Sequence, residues 1–287
     1  LPLYDSMKRI YFLLLASLLS FTSAAQAHFP NQTPEADYAE SRSLYDRALY
    51  SSASEGFQSI LRRVDKQTDL AEQSHCYRVL CAIKLMNRDS DEQVHGFLQS
   101  YPTSARRVEL LIEMSEYAFN RRRYKDAKKW LKQLDGVRLP KAQRAAVQFK
   151  LGYSYFLLKE YDQARPQLAA VKASKYPDAK SAQYYYGHIA YLDSNDVTAL
   201  ACFEPLRSHQ QFGAVVPYYL AQIYARNGMD NELLGLGEQL LSKATTRRAP
   251  EIAKLIGQSL YRKSRYVESL PYLELHKVQG GKLFASD

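Results

Sequence analysis

Residues 141–177 read KAQRAAVQFKLGYSYFLLKEYDQARPQLAAVKASKYP, and this stretch decides the fold. Leu151, Gly152 and Tyr155 fall on one face of a first helix. Tyr161, Ala164, Leu168 and Val171 fall on one face of a second, at i, i+3, i+7, i+10 spacing. Gly152 and Ala164 are small because the two helices must approach closely there. Tyr155 and Leu168 fill the space beside that contact. Lys159 and Glu160 occupy the turn. Tyr176 and Pro177 close the unit, because proline disfavours helix in the residue before it.

The same marks recur every 34 to 36 residues: Gly152 with Tyr155, Gly187 with Ala190, Ala221 with Tyr224, Gly257 with Leu260. Twelve residues beyond each opening small residue stands a second mark: Ala164, Ala199, Leu233, Ser269. A period of this length predicts stacked helical hairpins. The unit after the first opens at Asp178, an expected N-cap. The next is less regular, with Leu233 and Gly237 where an alanine and a large residue are expected. The following unit places Pro250 at a first helical position. Upstream, Ala118, Tyr124, Ala127 and Leu131 repeat the marks, and Tyr50, Ala53, Phe57 and Ile60 mark the second helix of a first unit. Between these lies the weakest unit, residues 68–102. Its faces are Tyr77, Leu80, Cys81 and Leu85, then Val94, Leu98 and Tyr101 with Pro102.

The pattern resembles the tetratricopeptide repeat. Leu151, Gly152, Tyr155, Ala164, Leu168 and Pro177 match its marks, with Pro177 displaced by one, and Gln148 stands where the family has a tryptophan. The resemblance implies an all-α fold, a right-handed α-solenoid of about seven tetratricopeptide-like helical hairpins over residues 28–277. It also implies a concave groove lined by first-helix residues off the packing face. The positions that match are Phe149, Tyr153 and Phe156, then Tyr184, His188 and Tyr191, then Tyr218, Gln222 and Arg226. Against this stands the plainer possibility that these aromatics pack between neighbouring repeats, with hydroxyls reaching water. The signature residues Gly152, Tyr155, Ala164, Gly187, Ala199 and Gly257 are read as structural.

The chain has 287 residues, 46% of them hydrophobic, and a formal net charge of +9. Its start carries an export signal. Lys8 and Arg9 follow Met7, an apolar run spans residues 10–21, and Ala25 and Ala27 stand in A-x-A spacing. A cleavable signal peptide at residues 7–27 is expected, preceded by six upstream residues. Removing residues 1–27 takes away Lys8, Arg9 and Asp5 and leaves a charge of +8. An exported basic chain points to the periplasm or the periplasmic face of the outer membrane, with no nucleic-acid partner. Cys76, Cys81 and Cys202 are expected as buried thiols, because Cys76 and Cys81 share a helix at about 8–9 Å, too far for a disulfide. After Leu273 the chain reads ELHKVQGGKLFASD, and residues 278–287 look like the start of a further repeat or a truncated tail.

No metal-ligand spacing, nucleophile elbow or phosphate loop is present. The expectation is therefore a non-catalytic scaffold without metal or cofactor, binding a protein or peptide segment and serving envelope protein assembly or secretion. Two alternatives stand beside it. Basic turns (Arg121, Arg122, Arg123 and Lys125; Arg262, Lys263 and Arg265) would suit an adaptor for anionic envelope polymer or lipid. Or the repeats would serve an enzyme or regulator whose active domain lies beyond Asp287.

Overall fold

In the computed structural model, residues 33–244 and 248–279 are described. The expected signal peptide and residues 280–287 lie outside them. Among the described residues there are fourteen α-helices and no strand. They pair into seven hairpins. The first three are α1 (Pro34–Asp46) with α2 (Tyr50–Leu61), α3 (Asp69–Lys84) with α4 (Ser90–Ser100), and α5 (Arg107–Asn120) with α6 (Tyr124–Leu131). The other four are α7 (Lys141–Leu157) with α8 (Tyr161–Lys172), α9 (Ala179–Leu192) with α10 (Asp196–Phe203), α11 (Val216–Arg226) with α12 (Asp230–Ser242), and α13 (Ala249–Arg262) with α14 (Tyr266–Gln279). The chain divides into two compact units, Leu1–Tyr117 and Ala118–Asp287. Each is a stack of helical hairpins, the local arrangement of an α-solenoid.

The first unit is built around α3, which is buried on nearly all sides: Ala71, Ser74, Cys76, Tyr77 and Val79 to Ile83. Thr68 caps it, its hydroxyl accepting from the Ala71 N–H at 3.2 Å. On the helices packed against α3, Phe57, Ile60 and Phe97 are fully buried, as are Leu110 and Met114 on α5. Cys76 and Cys81 are free and buried, and burial pushes each thiol up to about 12. At that value they carry no thiolate near neutrality. Leu85, expected on the apolar face, is instead the residue that ends α3 and is 38% exposed.

In the second unit the small residues stand at helix crossings. A Cβ on Gly152 would lie 2.9 Å from Leu168 Cγ, and one on Gly187 would lie 2.6 Å from Cys202 Cβ. A Cβ on Gly257 would lie 2.7 Å from Leu273 Cδ2. In each hairpin the partner sits on the second helix, fifteen or sixteen residues on. Ala164 and Ala199 are fully buried, and Ser269 is 2% exposed. The irregular hairpin solves the same problem differently. Gly237 stands opposite Ala221, leaving space where Leu168 and Phe203 stand in their hairpins. A Cβ there would lie 2.7 Å from Ile256 Cγ1, so α13 of the next hairpin fills the gap.

All seven hairpin turns use one backbone device. A residue with positive φ follows the first helix: Ala48, Met86, Arg122, Lys159, Ser194, Gly228 and Ser264, at φ 57° to 66°. Its N–H donates to the carbonyl three residues back, and the next N–H donates five back. In α7, for example, Lys159 donates to Phe156 and Glu160 to Tyr155 at 2.9 Å. The five-back acceptors in the last four hairpins are Tyr155, Ala190, Tyr224 and Leu260. The periodic marks of the sequence are therefore also the anchor points of the turns. Asp178 does occupy the N-cap of α9, but its carboxylate makes no capping bond.

The crossings predict opposite signs for one substitution. Gly187→Ala should cost about 1–3 kcal/mol, since a Cβ meeting another Cβ cannot yield without moving a helix. Gly235→Ala, with nothing within 4 Å of the new atom, should gain roughly 0.5–1 kcal/mol. Denaturant unfolding of both variants checks the pair.

Candidate functional site

The candidate surface is made by the first helices of the second unit. Neighbouring first helices touch directly, α7 with α9 and α11 with α13, so residues off the hairpin-packing face meet across the stack. The outcome is a continuous row of rings. Tyr153 lies 4.8 Å from Tyr185 between centroids, Phe156 lies 4.9 Å from Tyr185 and 5.4 Å from His188, and His188 lies 5.2 Å from Tyr219. Tyr191 adds an edge contact to Tyr219 at 5.0 Å. These rings are half-buried, and edge-to-face pairs of this kind add about 0.5–1.5 kcal/mol beyond burial.

Of the nine groove positions expected from the sequence, most are thus engaged in packing between repeats. Phe149 is 8% exposed and belongs to the core. Tyr184 stacks on Phe212 at 4.6 Å with planes 12° apart. The row depends on two residues that the repeat alignment passed over, Tyr185 and Tyr219. Each stands one position after an expected groove residue, Tyr184 and Tyr218. A helix face about 100° wide takes in both, and the pairs of adjacent tyrosines in the sequence were the available signal.

At one end the row becomes polar. The Tyr191 hydroxyl donates to Gln222 Oε1. The Gln222 amide donates to Glu251 Oε1 at 2.7 Å, and the Tyr218 hydroxyl donates to Glu251 Oε2 at 2.5 Å. The Arg248 guanidinium lies over the Tyr218 ring, 4.6 Å from its centroid. Burial, together with the hydrogen bond to Glu251, raises the Tyr218 phenol above its ordinary range, so it remains a donor.

Arg226, expected in the groove, lies over the Tyr191 ring, 5.3 Å from its centroid, and is also paired with an acid. Its guanidinium holds Asp196 of the preceding hairpin, with Nε to Oδ2 at 2.9 Å. Arg262 makes the equivalent pair with Asp230 at 2.5 Å, thirty-two residues away. Burial raises the Asp196 carboxyl, but bonds from Arg226 and Asn227 prevail and hold it below its usual value. For Asp230 the Arg262 bond is the leading cause of the same lowering. The basic turns are also largely answered from within the chain. Arg123 pairs with Asp126 at 2.7 Å and Arg265 with Glu268 at 2.5 Å. Lys263 donates to Asn231 Oδ1 at 2.8 Å.

His188 sits in the middle of the row. Its Nε2 is 3.2 Å from the Tyr219 hydroxyl, and its buried Nδ1 has no partner. Burial lowers its pKa. No group of three or more His, Cys, Asp or Glu among the described residues could hold a metal ion. None of the described helices is long and apolar enough to cross a membrane.

No protein-family model and no curated protein matches the chain. Similar solved structures include MamA AMB-1, 17% identical over 59% of this chain and 97% of that one, with a TM-score of 0.48. Another is pilF of Pseudomonas aeruginosa, 16% identical over 72% of this chain and 90% of that one, with a TM-score of 0.46. A third is a tetratricopeptide repeat protein from Parabacteroides merdae, 13% identical over 88% of this chain and all of that one, with a TM-score of 0.48.

Two outcomes follow. Tyr184→Ala should lower stability by about 2 kcal/mol, below the cost of a fully buried ring, while Gln163→Ala, at an exposed position of α8, should change it by less than about 0.5 kcal/mol; thermal melts separate them. The unfolded chain takes up a proton near pH 6.5, whereas burial keeps His188 neutral in the folded state. Stability from this group is therefore present above about pH 6.5 and falls as pH drops below it. His188→Gln should make the stability profile between pH 7 and 5 less steep, partly buried His75, lowered to about 4, supplying slope that remains. An imidazole resonance of His188 titrating at or above 6.5 would contradict the assignment.

Proposed function

We propose that the chain is a non-catalytic protein-interaction scaffold of the bacterial cell envelope. It holds a partner segment against the first-helix face of the second unit, in the service of envelope protein assembly or secretion. The observation that carries this reading is the row of rings from Tyr153 to Tyr191, which ends in the bonded edge of Gln222, Tyr218 and Glu251. Each ring is fixed by its neighbours yet keeps part of its surface open. A partner laid on it therefore meets groups already in place, and little side-chain freedom remains to be lost on binding. Alternating apolar faces and hydrogen-bonding ends suit an extended or helical segment. The signal peptide expected at residues 7–27 would set the chain in the periplasm. The alternative of an adaptor working through basic turns is less well supported, because Arg123, Arg262 and Arg265 already hold acidic partners within the chain.

The decisive experiment places a photo-crosslinking residue at Gln222 and, separately, at Ala170 on the exposed side of α8, in the full chain expressed with its leader. Gln222 should yield discrete adducts with an envelope protein, Ala170 none, and Tyr191→Ala should reduce the yield about tenfold, equivalent to a loss of about 1.4 kcal/mol. Equal adducts at both positions would sink the reading.

A further inference from the structure

The longest connection between described helices in the second unit, between α10 and α11, is itself folded. After a 3-10 turn over Glu204–Leu206, the His209 N–H donates to the Leu206 carbonyl. The Phe212 and Gly213 N–H groups both reach the His209 carbonyl, at 3.1 and 2.7 Å. Phe212 is 5% exposed and anchors the loop by its stack on Tyr184. Gly213 is required here: a Cβ would lie 2.9 Å from the His209 carbonyl oxygen. This fixed loop forms one wall of a cavity of about 610 Å³, and α12 and the start of α13 form the others.

The composition of the lining is one-sided. Leu236, Leu240, Ile252 and the Tyr218 ring supply an apolar floor, and Arg207, Lys243 and Arg248 supply cations at the rim. No carboxylate is among the described lining residues. Unlike the cations of the hairpin turns, Arg207 and Lys243 have no acidic partner among the described residues. The volume lies in the range of sites that enclose a small ligand or a few side chains. Two cations without an acidic partner, beside the Arg248 guanidinium held over Tyr218, favour an anionic occupant, and the floor requires that the occupant also bring an apolar group.

We infer that this cavity takes an acidic peptide segment with an apolar anchor residue. The inference rests on the scaffold reading and names the chemistry of its partner. A recess with an apolar floor, as against a flat basic surface, favours a peptide over a membrane face. The loop wall is preformed, so binding orders little of the protein.

The test uses a fluorescein-labelled hexapeptide of alternating Glu and Leu, acetylated and amidated so that it has no terminal charges, and follows its anisotropy with the full chain. The peptide should bind. Arg207→Gln with Lys243→Gln, both exposed positions, should weaken it about tenfold without changing the melt. Replacing Glu by Gln, or Leu by Ser, in the peptide should weaken it to a similar degree. Gln163→Ala, at an exposed position of α8, should leave it unchanged. Undiminished binding by the double variant, or equal binding of the Glu–Ser peptide, overturns the inference. So does binding of phosphatidylglycerol vesicles without binding of the peptide. Loss of peptide binding in the double variant together with intact crosslinking at Gln222 assigns the cavity its own role. Intact peptide binding with lost crosslinking would leave the cavity standing and remove the ring row.

Discussion

The second unit depends on a single kind of contact, a helix backbone approached directly by a side chain of its hairpin partner. At Gly187 no Cβ fits, because Cys202 and Phe203 already occupy the space. The closeness of that approach brings the neighbouring tyrosines into contact with the next hairpin, which produces the row of rings. The anion-suited cavity depends on the same contact at one remove. Phe212 holds the loop by stacking on Tyr184, and Tyr184 is positioned by α9, whose place is set at Gly187.

The exception at Gly237 explains how strict this constraint is. What is conserved along the stack is filled volume, and the residue that fills it need not come from the same hairpin. Leu168, Phe203 and Leu273 serve within their own hairpins, while Ile256 serves across the boundary. That exchange ties the sixth hairpin to the seventh more intimately than the repeat pattern implies.

The repeat was legible because close packing restricts a few positions to small residues, and such restrictions survive at fixed spacing. Tyr50, Ala53, Phe57 and Ile60 lie on α2 as expected, and Ala118 and Ala127 meet in the core. The site was less legible, for physical reasons. Tyr184 and Tyr185 are adjacent in sequence, and pattern alone does not say which one bridges to the next helix. Arg226 looked available because its partner, Asp196, lies thirty residues earlier. Leu85 belonged to the apolar spacing but fell at the helix end, where the chain turns to solvent. The cavity has no periodic signature at all, since a folded loop, the start of α11, one face of α12 and the start of α13 make it.

The turns carry a wider consequence. Six of the seven left-handed positions hold residues other than glycine, so the backbone bonds that close each hairpin do not dictate the side chain above them. Within each unit the turns therefore carry a variable register over an invariant frame. Its charge and size can be rewritten by design while the packing beneath stays as it is.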